Sequence, residues 1–151
     1  MRAKKTSHTA FFIIVAVFYM AASFAHPVTP TLIKRLALED YMFGLALALM
    51  MLSNFLFSPF WGKISGYISS RTTLLISCMG YGVGQILFAL AQTRFQFLFA
   101  RFFAGIFVGG IFVGILTYIV NTAPDEQTRG KYLVSSATLQ AVFNSLGYFV
   151  G

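Results

Sequence analysis

Arg101 is a positive charge inside an apolar run, about six residues into a stretch from Gln96 to Val120. A charge at mid-bilayer costs about 2.5–3.5 kcal/mol on insertion scales, so such residues usually face neighbouring helices or a water-filled path. There Arg101 could couple motion of the protein to a proton or to substrate charge. The plainer alternative is snorkelling: about six residues is about 9 Å along a helix, which a long side chain can span. His26 is the second candidate. It lies near one end of the first apolar run, just before Pro27 and Pro30. Histidine titrates between pH 5 and 8 and can carry a proton; a hydrogen-bonded histidine at the membrane interface is the plainer explanation. Four amides, Asn54, Gln85, Gln140 and Asn144, also fall in apolar runs. They could line a cavity or hydrogen-bond between helices. The four acids, Glu39, Asp40, Asp125 and Glu126, all fall outside those runs. Proton relays in membranes use Asp, Glu or His. A proton carried within this sequence therefore points to His26 or to a group that is not a carboxylate.

Other chemistry has no residues to perform it. One cysteine, Cys78, and two histidines leave no Cys/His metal site. No G-x-S-x-G, H-E-x-x-H or G-x-x-x-x-G-K-[ST] motif occurs, and no triad is evident. No cofactor is expected.

Composition says what must position these residues. Of 151 residues, 58% are apolar and only 10% charged. A soluble domain carries about 25% charge, and a disordered chain would be apolar-poor. The expected fold is an all-α membrane protein, because helices satisfy their own backbone hydrogen bonds in lipid. Five stretches suffice for spans of about 20 residues: approximately 10–32, 41–61, 73–91, 96–120 and 132–151. The first is a span rather than a cleaved signal peptide, since apolar character continues past Ala25. Gly151 lies inside an apolar run, which suggests a piece of a longer chain.

The net charge of +7 is distributed at the ends of these runs. Arg2, Lys4, Lys5, Lys63, Arg71, Arg129 and Lys131 fall on one side, and Lys34, Arg35 and Arg94 on the other. The positive-inside rule makes the N-terminus and the 62–72 and 121–131 loops cytoplasmic. The basic residues form no stripe, so nucleic acid is not an expected partner. The lipid bilayer is.

Gly105 with Gly109, and Gly110 with Gly114, form two small-xxx-small pairs on adjacent faces of the fourth span. Missing Cβ atoms let helices approach closely, so these glycines read as helix packing. Gly80, Gly82 and Gly84 add to this in the third span.

Several short patterns follow one another in a familiar order. His26-Pro27-Val28-Thr29-Pro30 resembles a P-x-x-P close of a first span. Gly62 to Arg71 lies where a cytoplasmic loop would carry G-x-x-x-D-R-x-G-R-[RK]; Gly62 and Arg71 match, whereas Gly66 stands at the Asp position and Tyr67 at the Arg. Arg101-Phe102-Phe103-Ala104-Gly105 resembles R-x-x-x-G, and Gly147 and Gly151 resemble the start of G-x-x-x-G-P-x-x-G-G. The order resembles the N-terminal half of a major facilitator superfamily transporter, most narrowly the twelve-span drug:proton antiporters related to tetracycline-efflux proteins. The resemblance implies the first five of twelve helices in a plasma-membrane transporter, with the C-terminal half supplied by the rest of the chain. It implies efflux of a small molecule by alternating access, protons as the coupling ion, and Gly62, Gly66 and Arg71 as a gating loop. Gly66 cannot make the charge contact that the family's Asp makes. The first-span acid of tetracycline-type exporters is absent as well, with Phe18 near its place. Rival readings are an importer of a sugar or metabolite, a non-transporting membrane protein such as a receptor, assembly factor or scaffold, and an enzyme with catalytic residues beyond Gly151.

Overall fold

The computed structural model describes residues 8–150. Six helices follow in order: α1 (His8–Ser23), α2 (Ala25–Arg35), α3 (Met42–Ile64), α4 (Ser70–Ala89), α5 (Arg94–Thr122) and α6 (Glu126–Val150). No strand occurs among the described residues. This is the all-α architecture of a multi-pass membrane protein. Four stretches are long and apolar enough to cross a membrane: His8–Arg35, Met42–Ile64, Ser70–Ala89 and Arg94–Thr122.

Two differences from the expected spans have local causes. The first span is two helices in series. Pro27 has no N–H for the Ser23 carbonyl four residues back, and its ring crowds that carbonyl. Helix α1 accordingly ends at Ser23, and α2 begins at Ala25 with Pro27 in its first turn, where a missing N–H is harmless. The fifth expected span overlaps α6, which starts earlier, at Glu126, runs 25 residues and is not among those four stretches. Ser135, Ser136, Thr138, Gln140, Asn144 and Ser145 make it less apolar than the other four. Arg2, Lys4, Lys5 and Gly151 lie outside the described residues.

The helix ends are specified locally. Ser69, in an extended conformation, accepts the Thr72 N–H at 3.2 Å and starts α4. Thr93 Oγ1 accepts the Gln96 N–H at 3.3 Å, while Gln96 Oε1 accepts the Gln92 N–H at 2.8 Å, close to a capping box for α5. Helix α2 closes in a Schellman turn. The Leu38 N–H bonds the Ile33 carbonyl at 3.0 Å and the Ala37 N–H bonds Lys34 at 3.1 Å. Ala37 takes the left-handed position, φ 50°, where glycine is usual.

The chain forms two compact units, one of residues up to Thr29 together with those from Ala123, the other Pro30–Thr122. In the first, α1 packs on α6. Gly147 permits this approach, since a Cβ there would lie 2.6 Å from Ser23 Cβ. In the second, α5 packs on both α3 and α4. Its core at one end gathers Leu32, Ile33, Met42, Ala46, Phe88, Ala91, Phe97 and Ala100.

Candidate functional site

The glycines of α5 divide by face. A Cβ at Gly105 would fall on Ser53 Oγ and the Met50 carbonyl, and one at Gly109 would lie 2.9 Å from Asn54 Oδ1 and Ser58 Oγ. Both face α3. A Cβ at Gly110 would fall on Ser77 Oγ of α4 and crowd Trp61 of α3, and one at Gly114 would lie 2.8 Å from Leu74 of α4. Helix α4 reciprocates: Gly84 lies against Ala104 and Gly80 against Phe107. Lipid gives no hydrophobic drive for helix association, so close packing and interhelical hydrogen bonds supply it. One such bond runs from Trp61 Nε1 to the Ile106 carbonyl, at 2.7 Å.

This packing encloses Arg101. The residue is 1% exposed on the face of α5 that also buries Phe97, Ala100, Ala104 and Gly105. Its Cζ lies 3.6 Å from the centroid of the Phe88 ring. The ring's negative face attracts the cation, with an energy of about 2 kcal/mol or more once both are desolvated. Phe97 supports Phe88 at 5.2 Å between centroids. The acids Glu39, Asp40, Asp125 and Glu126 are all exposed.

Polar groups accompany it in the same unit. Ser58 Oγ donates within α3 to the Asn54 carbonyl at 2.7 Å, or to Asn54 Oδ1 at 3.2 Å. Gln85 is half-buried on α4, and its Nε2 has no hydrogen-bond partner among the described residues. The same holds for the fully buried Ser77 Oγ.

The other unit holds His26, Gln140 and Asn144. The His26 ring stacks on Tyr148 of α6 at 4.9 Å and 21°. Ser23 Oγ donates to Asn144 Oδ1 at 2.8 Å or to the Tyr19 carbonyl at 3.0 Å. Thr29 Oγ1 donates to the Ala25 carbonyl at 2.6 Å. These contacts surround the α1–α2 break. Gln140 is half-buried.

Gly62, Gly66 and Arg71 belong to neither group. All three are exposed around the turn between α3 and α4. A Cβ at Gly62 would meet nothing within 4 Å, and one at Gly66 only the Lys63 carbonyl at 3.3 Å.

Sequence reasoning did not single out Phe88, Ser23, Ser53, Ser58, Ser77 or Tyr148. A serine opposite a glycine has a signal in principle, because small residues mark close helix contacts. An aromatic under an arginine has none in a chain with 18 phenylalanines.

Residues 11–151 match the family described as the Major Facilitator Superfamily. The sequence is similar to the quinolone resistance protein NorA of Staphylococcus aureus strain MRSA252, with 24% identity over 129 residues; the alignment covers 85% of this chain and 33% of that protein. It is also similar to the staphyloferrin B transporter of Staphylococcus aureus strain NCTC 8325, with 34% identity over 90 residues, covering 60% of this chain and 21% of the relative. The chain thus spans about a third of the length of the NorA proteins it matches.

Proposed function

Since the chain belongs to the Major Facilitator Superfamily, we propose that it forms the leading spans of a secondary transporter that exports a small molecule by alternating access. The observation that carries this reading is the family match over residues 11–151. Similarity to a quinolone resistance protein favours a drug or metabolite as cargo. In this reading the protein lies in the plasma membrane with its N-terminus in the cytoplasm. The spans beyond these residues complete a twelve-helix bundle, with the site near mid-membrane between its halves.

Arg101 and His26 are the coupling residues in this reading. A ligand or proton drives a transition only if it binds the two states with different affinity. In this reading the cation held against the Phe88 ring changes its surroundings between the two states. Gln85, Asn54, Gln140 and Asn144 are the cavity-lining amides. The turn with Gly62, Gly66 and Arg71 is the gating loop, working without the family's acid.

The test is transport in inverted vesicles carrying the full-length protein, with a fluorescent lipophilic dye and an imposed proton gradient. Dye movement should depend on the gradient and stop in Arg101→Ala with the protein still in the membrane. Movement at wild-type rate in that variant removes Arg101 from the mechanism. No gradient-dependent movement of any tested amphiphile removes the exporter reading.

A further inference from the structure

The turn between α3 and α4 carries positive charge that no acid among the described residues balances. Lys63 closes α3 and Arg71 stands in the first turn of α4; both are exposed. No ion pair is made by either among the described residues. No acid occurs anywhere from Tyr41 to Arg94, and the first turn of α4 has none. A cation in a first turn also opposes the helix dipole. The start of α6 differs. There Asp125 caps the helix, accepting the Thr128 N–H at 2.7 Å, and Glu126 pairs with Arg129 at 3.9 Å.

Tyr67 adds a donor between the two cations in sequence. The chain turns tightly after α3, with the Gly66 N–H on Lys63, and the Tyr67 and Ile68 N–H groups on Ile64. Tyr67 is left 82% exposed. Both flanking helices are long and apolar enough to cross the bilayer, so the turn lies at headgroup depth. Tyrosine and basic side chains are favoured there, and basic residues near the surface attract anionic lipid. The small Gly66, in place of an acid, leaves that approach free of like charge.

We propose that Lys63, Tyr67 and Arg71 form a docking site for the phosphate headgroup of an anionic phospholipid. The lipid supplies a counter-charge that the described residues do not, and it ties the α3–α4 connection to the membrane surface. The site is independent of what the transporter carries.

The experiment is native mass spectrometry of the full-length protein released from nanodiscs of mixed phosphatidylglycerol and phosphatidylcholine. Wild type should retain phosphatidylglycerol preferentially. Lys63→Gln or Arg71→Gln should each lower that preference about fivefold, the factor for about 1 kcal/mol per basic residue near the surface. Lys63→Arg should leave it unchanged, and Lys34→Gln should lower it less than either. A preference unaltered in the Lys63→Gln/Arg71→Gln double variant overturns the proposal, as does an equal loss in Lys34→Gln. Displacement of the lipid by millimolar inorganic phosphate would overturn the lipid as occupant.

Discussion

At the scale of single residues, the two kinds of glycine in this chain should respond oppositely to a methyl group. Gly105 has Ser53 and the Met50 carbonyl where a Cβ would stand. Gly105→Ala should therefore destabilise the protein by about 1–3 kcal/mol, the usual range for overpacking. Gly62 is exposed in α3 with nothing within 4 Å. Gly62→Ala should raise stability by about 0.5–1 kcal/mol, because alanine loses less entropy in a helix. Thermal melting of purified protein in detergent reads both signs. A neutral Gly105→Ala would mean that α3 and α5 do not meet there. Arg101 illustrates the limit of a one-residue reading. Sequence left it between snorkelling and burial; the 3.6 Å contact with Phe88 draws it into the packed face.

At the scale of elements, helix ends make the sharpest predictions. Ala37→Gly should stabilise the α2 terminus by about 1 kcal/mol, since only glycine takes a left-handed φ without steric cost. A calorimetric scan with no gain would mean that the Schellman turn does not form. The Asp125 cap gives a pH dependence. The Thr128 N–H, then the Thr128 hydroxyl, hold its carboxyl below the usual carboxylate range. The unfolded state therefore binds the proton first. The cap's contribution is complete above about pH 4 and is lost as pH falls through the lower folded value. Asp125→Asn should flatten this acid limb in pH-dependent melting. The α1–α2 break was foreshadowed by Pro27, whose consequence for the Ser23 carbonyl is local. That α6 would be long was also legible, while its Gly147 contact with α1 was not.

At the scale of the whole molecule, the prediction concerns orientation. In a cysteine-free background of the full-length protein, which includes Cys78→Ser, Gln92→Cys should react with an impermeant maleimide on intact cells. Tyr67→Cys should react only after permeabilisation. The reverse pattern would place the N-terminus outside and undo the positive-inside assignment. Both positions are exposed, so labelling reports sidedness rather than burial.

Composition and the length of the apolar runs determined the helical membrane architecture, because lipid leaves the backbone no alternative to satisfying itself. Spacing alone also put Gly105 with Gly109 and Gly110 with Gly114 on adjacent faces, since side-chain direction in a helix follows from its pitch. Which helix each pair meets was decided by tertiary structure: α3 for the first, and α4, with Trp61 of α3 alongside, for the second. The Phe88 ring beneath Arg101, the Tyr148 ring against His26 and the Asn144 oxygen at Ser23 are equally tertiary. Such contacts join residues far apart in the chain. A single sequence records the type of each residue but not the partner that packing brings to it.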